Sequence, residues 1–275
     1  MKADLRGRHD LGEIVGYAYR LYGRNFAPFF LIALTTVPLQ VLMGVLQDRI
    51  GTGDGAQAAT APLQLLNTFV TLIAVGALIF AVDEAASGTR PEASRSLDAV
   101  FERIRAMFGT LLLSAAIVAA SALAFPALAL WWLVRRNATI DGRRTWWLVL
   151  VPGALTIYLV IRWQLAQQAV MIDGKRNWAA LDQSANAVRG NWWRVLGVII
   201  VIALIETGPV LLASGAMLLP PLPGATIFAL VLALVIPFPV AAQTLLYYDL
   251  KARGQPDDHP DRIAAAQPDV QGEGP

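Results

Sequence analysis

Three times along this chain an amphipathic segment with basic ends runs straight into a pair of long apolar stretches. The copies start near Leu11, Ser96 and Trp178. Each enters its first stretch at an aromatic, Phe26, Phe108 or Trp192, spaced 82 and 84 residues apart. Each closes its second stretch on an apolar residue followed by aspartate: Val82-Asp83, Ile172-Asp173 and Tyr248-Asp249. From entry aromatic to closing aspartate the chain runs 57, 65 and 57 residues. Such a register predicts a repeat whose unit is one amphipathic helix plus one membrane hairpin, over about 10–83, 95–173 and 177–249. The expected fold class is all-α, a polytopic membrane protein with six transmembrane helices in a domain covering 1–253.

Composition agrees with lipid as the main solvent. Of the 275 residues 56% are hydrophobic and 15% charged, far from the balance of a soluble domain. The formal net charge of +2 gives no nucleic-acid footprint. Cysteine is absent, which removes disulfides and thiolate metal sites. The two histidines, His9 and His259, both lie outside the apolar stretches. No metal or cofactor is expected. The charged first ten residues have no small-residue cleavage site after them, so the first span reads as an uncleaved signal anchor.

A helix needs ~20 mainly apolar residues to cross the hydrocarbon core. Six stretches qualify: Phe26–Leu46, Leu63–Val82, Phe108–Val134, Trp146–Met171, Val195–Leu219 and Ala225–Tyr248. The first connection, Gln47–Ala61, reads as a flexible loop, and the Pro-Pro-Leu-Pro-Gly run from Pro220 to Gly224 as a tight hairpin turn. With the N terminus in the cytoplasm, that side collects sixteen lysines and arginines against five, Arg162 being inside a span. The expected location is the bacterial inner membrane, with both termini cytoplasmic. The cluster Arg135, Arg136, Arg143 and Arg144 opposes this count, unless it snorkels to headgroups around Asp141.

The intervening segments have helical spacing. Trp178, Leu181, Ala185, Val188 and Trp192 form one stripe, and Leu97, Val100, Phe101, Ile104 and Phe108 another. The first segment opens with Asp10 and Glu13, spaced as a capping box. Such helices can lie flat in the inner-leaflet interface, with arginines reaching anionic headgroups, or pack on the spans as a collar. From Gly254 onward the chain reads as a disordered cytoplasmic tail, 254–275.

Certain motifs carry a likeness. The run from Trp178 to Gly197 (WAALDQSANAVRGNWWRVLG), the close Leu245-Leu-Tyr-Tyr-Asp-Leu-Lys-Ala-Arg253 and Leu21-Tyr-Gly-Arg-Asn-Phe26 resemble the glycerophosphoryl diester phosphodiesterase membrane-domain family. The resemblance covers about residues 10 to 253. In that family the membrane part is fused in some members to a catalytic barrel that hydrolyses glycerophosphodiesters. A barrel takes ~250 residues, and only some twenty follow the last span. The resemblance therefore implies the membrane part alone, and no catalytic residue carries over.

Charge inside a bilayer is costly, ~2.5–3.5 kcal/mol at the centre on insertion scales. Glu206 stands about 11 residues into the fifth span beside Thr207, Gly208 and Pro209, where proline disturbs the helix. It reads as a proton- or cation-binding acid in a cavity or as a buried carboxyl that fixes packing. Arg162 in the fourth span lies at similar depth, so an ion pair is possible. It can equally snorkel beside Trp163 or bond Gln164, Gln167 and Gln168. Asp83, Asp173 and Asp249 fall at one membrane surface, to share a divalent cation or to bond arginines of neighbouring amphipathic helices. Scattered polar residues (Gln40, Asn67, Thr68, Thr71, Gln243) suit bonds between helices.

No Ser–His–Asp set, phosphate loop or metal-ligand cluster is present in the sequence. The expected function is a non-catalytic membrane module that anchors or organises partners or lipids at the inner leaflet. The alternative is a small transporter or lipid-handling protein built on a Glu206/Arg162 cavity. A third reading is a lipid-headgroup enzyme using the three aspartates.

Overall fold

The computed structural model describes residues 10–50, 54–135 and 147–254. Among them the chain is all-helical, with no strand. Four helices or helix pairs are long and apolar enough to cross a membrane: Ala58–Ala86, Ala93–Leu123, Trp192–Leu218 and Pro221–Gly254. A fifth candidate, Phe26–Leu34 with Val37–Ile50, is bent by 41° at its break.

The stretch expected as the first repeat holds α1 (Leu11–Arg24), α2 (Phe26–Leu34), α3 (Val37–Ile50) and α4 (Asp54–Ala86). The Asp10–Glu13 capping box forms, with the Asp10 amide donating to Glu13 at 3.0 Å. Helix α1 stops where Asn25 turns its side-chain amide onto the Leu21 carbonyl at 3.0 Å. Phe26 then opens α2, as the entry aromatic predicts. The first connection differs from its expectation. Residues 47–50 and 54–61 are helical, so only 51–53 fall outside the described residues. The alanines of Ala56–Ala61 are strong helix formers and carry the helix from Asp54 onward.

The stretch expected as the second repeat holds α5 (Ala93–Arg135), α6 (Trp147–Trp163) and α7 (Ala166–Asp173). The amphipathic segment and first span expected here are one continuous helix of 43 residues, about 65 Å long at ~1.5 Å per residue. Phe108 therefore starts nothing. Copies one and three carry Gly-Arg-Asn or Arg-Gly-Asn before the aromatic, whereas here Ile104-Arg105-Ala106-Met107 contains only helix formers. The expected fourth span is divided too. Helix α6 has 17 residues and ends at Trp163, short of ~20. The cluster at Arg136–Arg144 lies outside the described residues, as does Trp146.

The stretch expected as the third repeat holds α8 (Trp178–Val188), α9 (Trp192–Ser214) with a 3₁₀ turn (Gly215–Leu218), α10 (Pro221–Val235) and α11 (Pro237–Gly254). Gly190, at φ 79°, makes the left-handed turn between α8 and α9. Asn191 then takes φ −120° and ψ 20°, close to the −118° and 31° of Asn25 before α2. The proline run is not the hairpin turn. Pro221 opens α10, where its missing N–H costs nothing, and the chain reverses through the 3₁₀ turn, Leu219 and Pro220. A Cβ on Gly224 would stand 2.5 Å from the Ala216 carbonyl oxygen, so only glycine closes this corner. Residues 255–275, expected as a disordered tail, lie outside the described residues.

Each amphipathic segment packs on a closing helix: α1 on α11, the first half of α5 on α4, and α8 on α7. Helix α1 does not lie across the bundle. Leu11 approaches Gly197 near the start of α9, while Tyr22 reaches Leu234 at the end of α10, so α1 runs lengthwise. It packs on α11 and α9. One core joins these elements, with Ile14, Phe29, Leu78, Met107, Leu165, Leu246 and Tyr247 all buried. A second seam of small residues (Ala33, Ala229, Ala233, with Gly44 against Ala225) lets α2 and α3 approach α10 closely. Away from the closing aspartates the helices expose apolar side chains, including Leu65, Leu112, Leu155, Leu204, Leu212 and Leu218. That is the surface expected against lipid.

Candidate functional site

The closing aspartates meet one short stretch of α11. Consecutive helical residues point roughly 100° apart, so Tyr247, Tyr248 and Asp249 fan out toward three different neighbours. The Tyr247 hydroxyl donates to Asp173 Oδ2 at the end of α7, and Tyr248 donates to Asp83 Oδ1 near the end of α4. Asp249, completely buried, accepts from Arg194 Nε of α9 at 2.9 Å and from Arg253 Nε at 3.1 Å. Lys251 Nζ lies 2.6 Å from Asp173 Oδ1. The three acids are thus gathered at one end of the bundle by α11, each with its own partner.

Among the described residues no three acids or histidines gather as a cation site. Arginines serve Asp249, but from the apolar helix α9 and from α11 itself rather than from an amphipathic helix. For Asp83 and Asp173 the partners include tyrosines, which the arginine count could not find. The only signal was the closing Tyr-Tyr-Asp-Leu-Lys run itself.

Glu206 and Arg162 do not meet. Among the described residues neither an ion pair nor a hydrogen bond joins them. Arg162 Nη1 donates to the Tyr158 hydroxyl at 2.7 Å, one turn back on α6, and its guanidinium lies 5.8 Å from that ring centroid. Glu206 is half-buried in an apolar groove of about 440 Å³ lined by Val15, Tyr19 and Tyr22 of α1, Pro209 of α9, and Leu234 and Phe238. The sequence placed both groups at similar depth but could not place α1, which occupies Glu206's side of the bundle.

Two helix breaks are bridged by side chains from the segments expected as amphipathic helices. Where α6 gives way to α7, buried Ser184 of α8 accepts from the Leu165 amide at 3.2 Å and donates to the Arg162 carbonyl at 3.0 Å. Where Pro237 interrupts the last span, the Tyr22 hydroxyl of α1 donates to the Leu234 carbonyl at 2.8 Å. Of the scattered polar residues, Gln243 of α11 takes Gln168 of α7 at 3.5 Å, whereas Gln40 and Thr68 bond within their own segments.

Comparison with protein-family models, with curated proteins and with solved structures finds no match to this chain, so its site is read from its own geometry.

Proposed function

We propose that this protein is a non-catalytic integral module of the bacterial inner membrane. It has six crossings in three repeats, both termini cytoplasmic, and organises lipids or partners at the inner leaflet. The observation that carries the reading is the fan of Tyr247, Tyr248 and Asp249, which draws the ends of α4, α7 and α11 to one side of the bundle. Helices ending together on one side must be separated by an even number of crossings. That favours α5 leaving with α6 and α7 returning, and α9 leaving with α10 and α11 returning. The matched Asn25 and Asn191 conformations and the packing of each amphipathic segment on a closing helix support the repeat. The motifs that resemble the glycerophosphoryl diester phosphodiesterase membrane-domain family fit the same reading.

A second reading has one observation in its favour. The Glu206 groove could take an apolar cation, as a small transporter or lipid-handling protein would require, without Arg162. Thermal unfolding of wild type and Glu206→Gln in detergent across pH 5 to 9, with and without anionic lipid, separates the two. The structural module gives matching pH profiles and stabilisation by anionic lipid in both proteins. A pH dependence present in wild type and lost in the variant overturns it in favour of the groove.

A further inference from the structure

Between the first half of α5 and the link from α7 to α8 lies a recess of about 560 Å³. Four cations line it: Arg103 and Arg105 from α5, Lys175 and Arg176 from the link. Glu102 is the one acid beside them. Beside the closing aspartates, by contrast, Arg194, Lys251 and Arg253 each hold an acid. Among the described residues no carboxylate forms an ion pair with Arg105, Lys175 or Arg176.

The wall of the recess is fixed in place. Arg103, half-buried, donates through Nη1 to the Met171 carbonyl, leaving its other N–H groups free to serve a second acceptor. Asn177 is held at φ 46° with its amide on Thr110 Oγ1 of α5 at 3.0 Å. Its side chain packs close to Gly109, where a Cβ would stand 2.4 Å from Asn177 Oδ1. Helix α8, 11 residues long, begins at this rim with no side-chain hydrogen bond capping it. Its positive dipole end therefore adds to the four cations. Trp178, 63% exposed, follows directly, an aromatic suited to the headgroup layer. The recess opens one residue past Asp173, at the level where the closing helices end.

Anion chemistry follows from this set. Guanidinium groups present forked N–H donors that match phosphate oxygens, and an ammonium adds a point charge. The low local dielectric at a membrane surface strengthens both. A monoanion would leave most of the cationic charge unbalanced, so a phosphate ester carrying two charges fits better.

We propose that this recess is a binding site for a phosphomonoester, presented as the headgroup of an anionic lipid with its acyl chains along the exposed face of α5. The proposal rests on the membrane reading above and names the ligand class that such a module would hold. The chemistry would serve a soluble phosphate ester equally, and the test separates the two sources.

The full chain is purified in detergent and its affinity measured for phosphatidic acid, phosphatidylcholine and glycerol 1-phosphate. Three proteins are compared: wild type, the triple variant Arg105→Gln/Lys175→Gln/Arg176→Gln, and the control Arg24→Gln/Arg90→Gln/Arg189→Gln. The control removes the same charge from exposed positions outside the recess. The recess triple should bind phosphatidic acid on the order of tenfold more weakly or worse, from lost charge-assisted hydrogen bonds. The control should match wild type, and phosphatidylcholine should bind weakly to all three.

Glycerol 1-phosphate that displaces phosphatidic acid at equal affinity assigns the same site to a soluble ester. Failure to displace assigns it to the lipid. Equal loss in both triples, or no loss in either, overturns the proposal. Lys175→Cys labelling on the same membrane side as Ser87→Cys would keep the membrane reading standing in that event. Labelling on opposite sides, with phosphatidic acid binding intact, would sink the membrane reading and leave the site.

Discussion

Asp249 bears the most consequence of any single side chain described. It is completely buried, and its carboxylate is the shared acceptor of Arg194 from α9 and Arg253 from its own helix. Removing one member of a buried ion pair leaves the other charge desolvated, at a cost of roughly 3–5 kcal/mol. Asp249→Asn keeps the volume and one acceptor but removes the charge. It should therefore lower unfolding stability in detergent by about 3 kcal/mol. Tyr248→Phe breaks one hydrogen bond to Asp83 and should cost less, about 1 kcal/mol. Equal and small losses for the two would mean the fan does not hold the bundle end together. The aspartates were legible in the sequence because each follows an apolar span at matched spacing. Tyr247 and Tyr248 were legible only as a motif, since their roles depend on which helices surround α11, and no local pattern encodes that. Ser184 was not legible at all. It sits in a stripe of small residues and matters only because a span breaks opposite it.

At the scale of elements, amphipathic segment and span were readable, but their junctions were not equally so. The same register gives a clean break before Phe26 and Trp192 and none before Phe108. The difference lies in two or three residues. Asn25 and Asn191 have near-identical backbone conformations, and Gly190 adds a left-handed turn. No glycine or asparagine occupies the equivalent place in α5. Helix propensity then decides in favour of continuity, because the packing of Val100 and Met107 on Gly76 of α4 is satisfied by a straight helix. The corollary is a test at one position. Gly190→Ala must place a Cβ at φ 79°, which costs about 1 kcal/mol or more where the turn cannot relax. Gly16→Ala in α1, where an added Cβ meets nothing within 4 Å, should be neutral or slightly stabilising. Thermal unfolding of both variants reads the difference, and a neutral Gly190→Ala would mean that α8 and α9 are not held at that turn.

At the scale of the whole molecule, the number of crossings is the decisive quantity. Four helices or helix pairs are long and apolar enough to cross, the last of them interrupted before Pro237, and a fifth pair is bent, while α6 alone falls short and breaks off before α7. Length and composition alone therefore give four crossings among the described residues, or five with the bent pair. The bonds at the closing end constrain parity instead. Asp83 and Asp173 both bond the last turns of α11 beside Asp249, so residues just beyond the three acids lie at one end of the bundle, which six crossings would put on one membrane face. The chain lacks cysteine, so single cysteines can report this without background. Ser87→Cys, Lys175→Cys and Lys251→Cys, all at exposed positions, should react only with a membrane-permeant maleimide in intact cells. Gly55→Cys and Leu219→Cys, exposed at the opposite ends of their hairpins, should react with an impermeant one as well. Labelling of Lys175→Cys from outside would mean that α6 and α7 do not return through the membrane. The bond between Tyr247 and Asp173 could not then form across the bilayer, and the six-crossing arrangement would fall with it.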